Sequence, residues 1–280
     1  MGRIKAFFLI IRPLNCLITF ITILLAGFIC GSFFDFKIII IAGFAGALVN
    51  AAGNIINDFF DIEIDKINRP NRVLPSGKIS LRFALNSYVS ITYFAILLAF
   101  YNLNFNAFLI VLITSAMMFL YSYQLKKIAF VGNVVVAFFT GLAFLFGSLV
   151  SGSVYCGIIP SVFAFLISLL RELVKDIEDI KGDKLANIST YPLKYGIKAT
   201  VQLISITGIV LIISTTIPFL LKIYNLYYFI FVSIFVNGIL VYVVRSLNKS
   251  TSQTTISKMS LLLKFGMIFG ILAIFIGTKL

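Results

Sequence analysis

No histidine and no tryptophan occur in the 280 residues, and cysteine occurs three times. The absence of histidine excludes a Ser-His-Asp nucleophile set. Charge is scarce as well. Only 12% of the residues are charged and 60% are hydrophobic, whereas a soluble globular domain carries about 25% charged residues. With a mean hydropathy of +1.08, the composition excludes an ordinary soluble domain and predicts a polytopic membrane protein. Cys16, Cys30 and Cys156 lie in or near apolar stretches without metal-ligand spacing. They read as small apolar packing residues with no partners.

Acids are the scarcest charged groups, ten in all, and every one except Asp35 falls in one of two stretches. The first is Asn54-Ile-Ile-Asn57-Asp58-Phe-Phe-Asp61-Ile-Glu63-Ile-Asp65 and the second is Glu172-Leu-Val-Lys175-Asp176-Ile-Glu178-Asp179-Ile-Lys181-Gly182-Asp183. Asn54, Asp58, Asp61 and Asp65 are spaced four, three and four apart, and Glu172, Asp176, Asp179 and Asp183 repeat those steps at a constant offset of 118 residues. Residues three and four apart share one helix face. Each stretch therefore reads as a comb of oxygen ligands at a helix end. Two such combs facing each other suit divalent cations, and the constant offset predicts an internal repeat within a single domain over residues 1–280.

The uncharged runs set the spans. Residues 13–34, 38–57, 199–221 and 223–244 each offer one bilayer crossing of about 20 residues, and runs 83–125 and 128–170 each offer two. The last segment carries Lys258 and Lys264, which can snorkel. The reading is all-α, with nine transmembrane helices around a central cavity, near 10–31, 38–60, 81–101, 105–123, 130–150, 157–178, 199–220, 224–245 and 257–278. The basic start and apolar run of residues 1–30 read as a retained helix, too long for a signal-peptide core. The net charge of +13 is read as a topology signal rather than as a nucleic-acid surface, because Lys and Arg mark cytoplasmic loops. In this arrangement only Lys37, Lys222 and Lys279 fall on the outer side. The N-terminus and both acidic combs then face the cytoplasm of a multi-pass cell-membrane protein.

Helix two is rich in Gly and Ala, which allow close helix approach, until Asn50, Asn54, Asn57 and Asp58 bring polarity to its end. Burying such groups costs several kcal/mol (about 2–7) unless they are paired. The following loop, Lys66-Ile-Asn-Arg69-Pro70-Asn-Arg72-Val-Leu-Pro75-Ser76-Gly77-Lys78, breaks the helix, and Ser80 caps the next one. Arg69 and Arg72, beside four acids, point to an anion shared with the metal. Tyr121-Ser-Tyr123-Gln-Leu-Lys126-Lys127 offers a second anion contact. Asn15, just inside the first helix, is a candidate for a polar ligand headgroup or an interhelical bond. Gly132-Asn133 opens helix five, where the amide caps or packs.

Carboxylate combs beside cations suit a diphosphate bridged by Mg²⁺, a hard ion that takes oxygen ligands. An apolar cavity next to them makes the rest of the ligand isoprenoid. Metal and basic residues would neutralise the departing diphosphate, and exclusion of water would protect the allylic cation. A transporter would place its groups near the midplane. A cation channel has no use for Arg69, Arg72, Lys126 and Lys127 beside its acids.

Asn57-Asp58-x-x-Asp61-x-x-x-Asp65 and Lys175-Asp176-x-x-Asp179-x-x-Gly182-Asp183 resemble the two aspartate-rich motifs of the UbiA superfamily of intramembrane prenyltransferases. Arg69-Pro-Asn-Arg72-x-Leu-Pro-Ser-Gly and the Tyr121-to-Lys127 segment match that pattern too. The resemblance implies that Asp58, Asp61, Asp65, Asp176, Asp179 and Asp183 serve a site with two Mg²⁺ ions and a diphosphate. It also implies that Asn54, Arg69, Arg72, Lys126 and Lys175 contact the diphosphate, with Asn15, Tyr121, Lys127 and Glu172 as further substrate-binding candidates. Within the superfamily the second motif looks most like that of the archaeal digeranylgeranylglyceryl phosphate synthases. The implied partners are membrane lipid, an isoprenyl diphosphate donor and a lipid-like phosphorylated acceptor, geranylgeranylglyceryl phosphate. An aromatic acceptor, as in quinone synthesis, is the alternative.

Overall fold

The structure, a computed structural model, describes residues 2–30, 36–185 and 188–279, and among these it is helical with no strand. In chain order the helices are α1 (Arg3–Ile11), α2 (Pro13–Ile29), α3 (Phe36–Phe60), α4 (Ile62–Asn68), α5 (Leu81–Asn102), α6 (Phe105–Tyr123), α7 (Val131–Val150), α8 (Tyr155–Glu178), α9 (Ile180–Leu185), α10 (Tyr191–Tyr195), α11 (Ile197–Leu220), α12 (Leu226–Phe231), α13 (Gly238–Lys249) and α14 (Gln253–Lys279). A π-helical turn, Val232–Asn237, joins α12 to α13 in one apolar rod. Among the described residues eight helices are long and apolar enough to cross a membrane, and α1 with α2, bent by 50°, makes a ninth if the bent pair is counted as one span. The chain is a multi-pass membrane protein.

The expected first helix, 10–31, differs most from the observed one. Helix α1 begins at Arg3 and stops at Ile11, α2 starts at Pro13, and residue 31 lies outside the described residues. Pro13 has no N–H to continue α1, and Arg12 before it turns left-handed (φ 53°, ψ 71°). Elsewhere the starts fall within four residues of those read from sequence, Gln253 of α14 being the furthest from its expected 257. Ser80 accepts from the Phe83 N–H at 3.2 Å and opens α5.

Two compact units divide the chain. The first comprises Met1–Ile128, Ala143–Gly157 and Lys181–Ile188. Its centre is α3, which packs on α2, α5 and α6. Small residues permit that approach: a Cβ at Gly46 would overlap the Ile23 side chain of α2. Ile23, Ala42, Ala45, Val49, Ala95, Ala99 and Val111 form the resulting core. Cys30, at the end of α2, and Cys156, at the start of α8, are joined in a disulfide with Cα atoms 5.7 Å apart. This corrects the reading of both as unpartnered packing residues; helix ends 126 residues apart in sequence are brought together by the fold. Cys16 is free.

The second unit comprises Ala129–Leu142, Ile158–Ile180 and Ser189–Leu280. Helix α11 packs on α13, and α13 on α14. Leu170, Ile204, Leu211, Leu240, Val243 and Leu263 are buried there. Ser257 donates to Glu178 Oε1 at 2.5 Å and Gln253 to the Glu178 carbonyl at 3.1 Å, so this acid ties the end of α8 to α14.

Candidate active site

In the first unit, α3 runs its small-residue face into a polar end. Asn54 Nδ2 donates to the Ile11 carbonyl at 3.0 Å and to Asn50 Oδ1 at 2.9 Å, and Asn50 donates to Thr19 Oγ1 at 2.8 Å. These bonds satisfy amides that would otherwise be stranded between apolar helices. The helix then breaks at Asp61 (φ −93°, ψ 4°), and α4 carries Asp65. Hydrogen bonding continues through the break, from the Asp61 N–H to the Asn57 carbonyl and from the Asp65 N–H to the Asp61 carbonyl. The second motif breaks at the matching place, with Asp179 between α8 and α9. The combs therefore lie on two helical segments each, not on one.

Each aspartate of the first motif meets a cation. Asp58, 4% exposed, accepts from Arg12 Nη2, and Arg72 Nη1 lies 3.4 Å from the same oxygen. Arg72 Nη1 is closer to Asp65 Oδ2, at 2.5 Å. Lys126 Nζ reaches Asp61 Oδ1 at 2.5 Å, while Asn57 Nδ2 donates to the other oxygen at 2.8 Å. Lys126 comes from a 3₁₀ turn, Leu125–Lys127, that follows α6. Burial pushes its ammonium below the ordinary lysine value, against the pull of Asp61. Burial also pushes the Asp65 carboxyl up, with the Arg72 guanidinium opposing it. Buried acids with ready cations are held at a cost that a purely structural role would avoid.

The expected residues distribute unevenly. Arg69 ends α4, its N–H donating to the Asp65 carbonyl at 2.8 Å. Lys127 is exposed, with Nζ 5.7 Å from the Tyr123 ring centre, and stands apart from the acids. Tyr121 and Asn15 are half-buried; the Asn15 carbonyl accepts from Thr19 at 3.2 Å. Asp183 is buried in the first unit, next to Gly182, whose Cα lies under the Asn68 side chain at the end of α4. Arg12 is the residue that the sequence reading missed. Its signal was the Arg-Pro pair directly before a helix that begins at the acidic face.

In the second unit, Asp176 Oδ2 accepts from Asn133 Nδ2 at 2.9 Å, across from α8 to the first turn of α7. The amide that could merely have capped a helix instead holds an acid of the second motif. Lys175 Nζ lies 3.0 and 2.8 Å from the two oxygens of Glu172, and Arg171 Nη1 is 3.2 Å from Oε1. Asp179 occupies the break after α8. Here too acids and cations are interleaved. The donor set is all oxygen, with no histidine or thiolate among the acids, and suits a hard cation such as Mg²⁺.

The model of the UbiA prenyltransferase family matches residues 17–270. Digeranylgeranylglyceryl phosphate synthase of Methanosphaera stadtmanae is 38% identical over 269 residues, 96% of this chain and 97% of its own length. The protein of the same name from Thermococcus sibiricus is 37% identical over 99% of this chain and 98% of its own. A solved structure of digeranylgeranylglyceryl phosphate synthase, 34% identical, superposes with a TM-score of 0.75 over 99% of both chains. A UbiA homologue from Archaeoglobus fulgidus, solved bound to GPP and Mg²⁺, shares the fold at a TM-score of 0.70 and 16% identity, over 96% of this chain and 99% of its own. The likeness first read from two aspartate-rich stretches thus extends from end to end, and the chain belongs to the UbiA prenyltransferase family.

Proposed function

We propose that this protein transfers a geranylgeranyl group from geranylgeranyl diphosphate to the free hydroxyl of geranylgeranylglyceryl phosphate, in archaeal ether-lipid synthesis. The observation that carries the chemistry is the pairing in the first unit, where buried Asp58 and Asp65 and half-buried Asp61 are answered by Arg12, Arg72 and Lys126. A metal–diphosphate substrate needs both signs of charge at one place. The choice of acceptor rests on full-length relatives named digeranylgeranylglyceryl phosphate synthase.

In this reading Asp58, Asp61, Asp65, Asp176, Asp179 and Asp183 would hold two Mg²⁺ ions. When bound, the metal would neutralise charge on the diphosphate and so make it a better leaving group. Asn54, Arg69, Arg72, Lys126 and Lys175 contact the diphosphate oxygens, where guanidinium forks and ammonium points favour the charge that grows as the C–O bond breaks. Glu172 sets the position of Lys175 through their shared contact. Asn15 and Tyr121 offer polar groups to the acceptor headgroup. The apolar helices keep water from the allylic carbon. An ether bond then forms from the acceptor oxygen to that carbon, and the hydroxyl proton leaves with the diphosphate.

The site faces the cytoplasm and the N-terminus is inside. Arg12, at the start of α2, reaches Asp58, whereas Cys30 caps the other end of this 17-residue helix, about 25 Å away at 1.5 Å per residue. The Cys30–Cys156 disulfide therefore supports an oxidising compartment on the face opposite the acids.

The test is diphosphate release by the purified protein, with labelled donor, acceptor and Mg²⁺. The proposal expects release that requires both metal and acceptor. A protein that binds the donor yet releases no diphosphate under any acceptor would instead be a carrier.

A further inference from the structure

We infer that Arg12 is an internal counter-ion that closes Asp58 to a free divalent cation and yields it only when a diphosphate takes the guanidinium, so that metal and donor bind as a unit. The inference rests on the proposed role of Asp58 as a metal-binding carboxylate.

Arg12 is held in place by unusual means. It has a left-handed backbone (φ 53°), a conformation that L-residues disfavour. It also precedes Pro13, a position that favours extended backbone. The bend between α1 and α2 falls at this residue. Asn54 grips the junction on both sides, donating to the Ile11 carbonyl at 3.0 Å and lying 3.5 Å from Arg12 Nη1. The result is a guanidinium seated on Asp58.

Exposure separates the two partners. The Arg12 side chain is 31% exposed and that of Asp58 6%. The guanidinium can therefore swing toward water, whereas the carboxylate cannot follow and would keep only Arg72, at 3.4 Å, as a counter-ion. Among the described residues no three acidic side chains are drawn together into a metal-binding cluster. Arg12, Arg72 and Lys126 take up their oxygens instead. A lone Mg²⁺ would have to shed tightly held water and displace Arg12 with nothing to receive it. A diphosphate changes both sides of the exchange, because it accepts the guanidinium in a bidentate pair and completes the ligands of the metal.

The experiment measures Mn²⁺ in place of Mg²⁺ on the full-length protein in lipid nanodiscs, reading the free ion by electron paramagnetic resonance. At fixed free Mn²⁺, inorganic diphosphate must raise the protein-bound ion in the wild type; equal binding with and without it overturns the proposal. Arg12→Gln should bind Mn²⁺ alone about tenfold more tightly than wild type and, with Mg²⁺ saturating, bind diphosphate about tenfold more weakly, the scale of one charge-assisted contact. Arg12→Lys keeps the charge and should hold metal-alone affinity within about threefold of wild type; a gain equal to that of Arg12→Gln would mean lost packing and also overturn the proposal. If Asp58→Asn loses Mn²⁺ while Arg12→Gln gains none, Asp58 stands as a ligand and the counter-ion role falls. If neither change affects Mn²⁺ binding, the metal-binding role of Asp58 itself fails, and the inference with it.

Discussion

Asn68, the last residue of α4, lies against the Cα of Gly182, in the second acidic motif, so closely that a Cβ there would overlap its carboxamide. Asp65 stands one turn before Asn68 and Asp183 directly follows Gly182, and both acids are buried. Within the first unit, this contact brings the tail of the second motif onto the tail of the first. The constraint at 182 is the approach of the Asn68 side chain, since φ there is not positive.

The first prediction follows from that approach. Gly182→Ala should cost about 1–3 kcal/mol through overpacking and lower turnover sharply, while Asn68→Ala in the same chain should restore part of both. Thermal unfolding in detergent, run beside a transfer assay, measures the two effects. A double variant no better than Gly182→Ala alone would show that the overlap is not what matters.

Asp58 and Asp176 serve different units but should behave alike. Asp58→Asn and Asp176→Asn should each lower turnover by about 100-fold or more, the scale of lost electrostatic stabilisation of a leaving group. Asn133 can still hydrogen-bond an amide at 176, so the fold should survive. Diphosphate release, with gel filtration as the control for folding, checks this. Wild-type turnover in both would remove these carboxylates from the site.

Adjacent lysines should separate cleanly. Lys126 reaches Asp61 with a side chain 9% exposed, whereas Lys127 stands over Tyr123 in the open. Lys126→Met should lower kcat/KM for the donor about 100-fold, and Lys127→Met should change it less than about threefold. Equal losses would show that the whole turn, rather than one ammonium, meets the diphosphate.

Much of this architecture was legible because it depends on local runs. Uncharged lengths marked the spans, and Ser80 marked the start of α5. The acids announced themselves by spacing, since two rare residue types recurred at the same steps. What spacing could not supply was contact between distant residues. Arg12 with Asp58, Asn133 with Asp176, and Asn68 with Gly182 are all decided by tertiary packing. The same holds for Cys30 and Cys156, which carry no spacing signal because the loop between them is most of a unit. The breaks at Asp61 and Asp179 were hidden for another reason: both keep the three- and four-residue rhythm of an unbroken helix.

The disulfide gives a prediction independent of the chemistry. Cys30→Ser with Cys156→Ser should lower stability by about 2–4 kcal/mol by releasing a long loop in the unfolded chain. At temperatures where the variant stays folded, turnover should change little, because α2, about 25 Å long, separates the bond from Arg12 and its contact with Asp58. Thermal inactivation half-lives and initial rates, measured on the same preparations, report these separately. Lost turnover in a folded variant would mean that the far end of α2 controls the acids.

The central claim is the identity of the reaction, and one measurement addresses it directly. Labelled geranylgeranyl diphosphate and Mg²⁺ are given to the purified protein together with geranylgeranylglyceryl phosphate and 4-hydroxybenzoate in competition. The account predicts label in a diether glyceryl phosphate, stoichiometric with released diphosphate and absent from the aromatic acid. Label in the aromatic acid alone would contradict it, leaving the family and the metal chemistry in place but assigning a different acceptor.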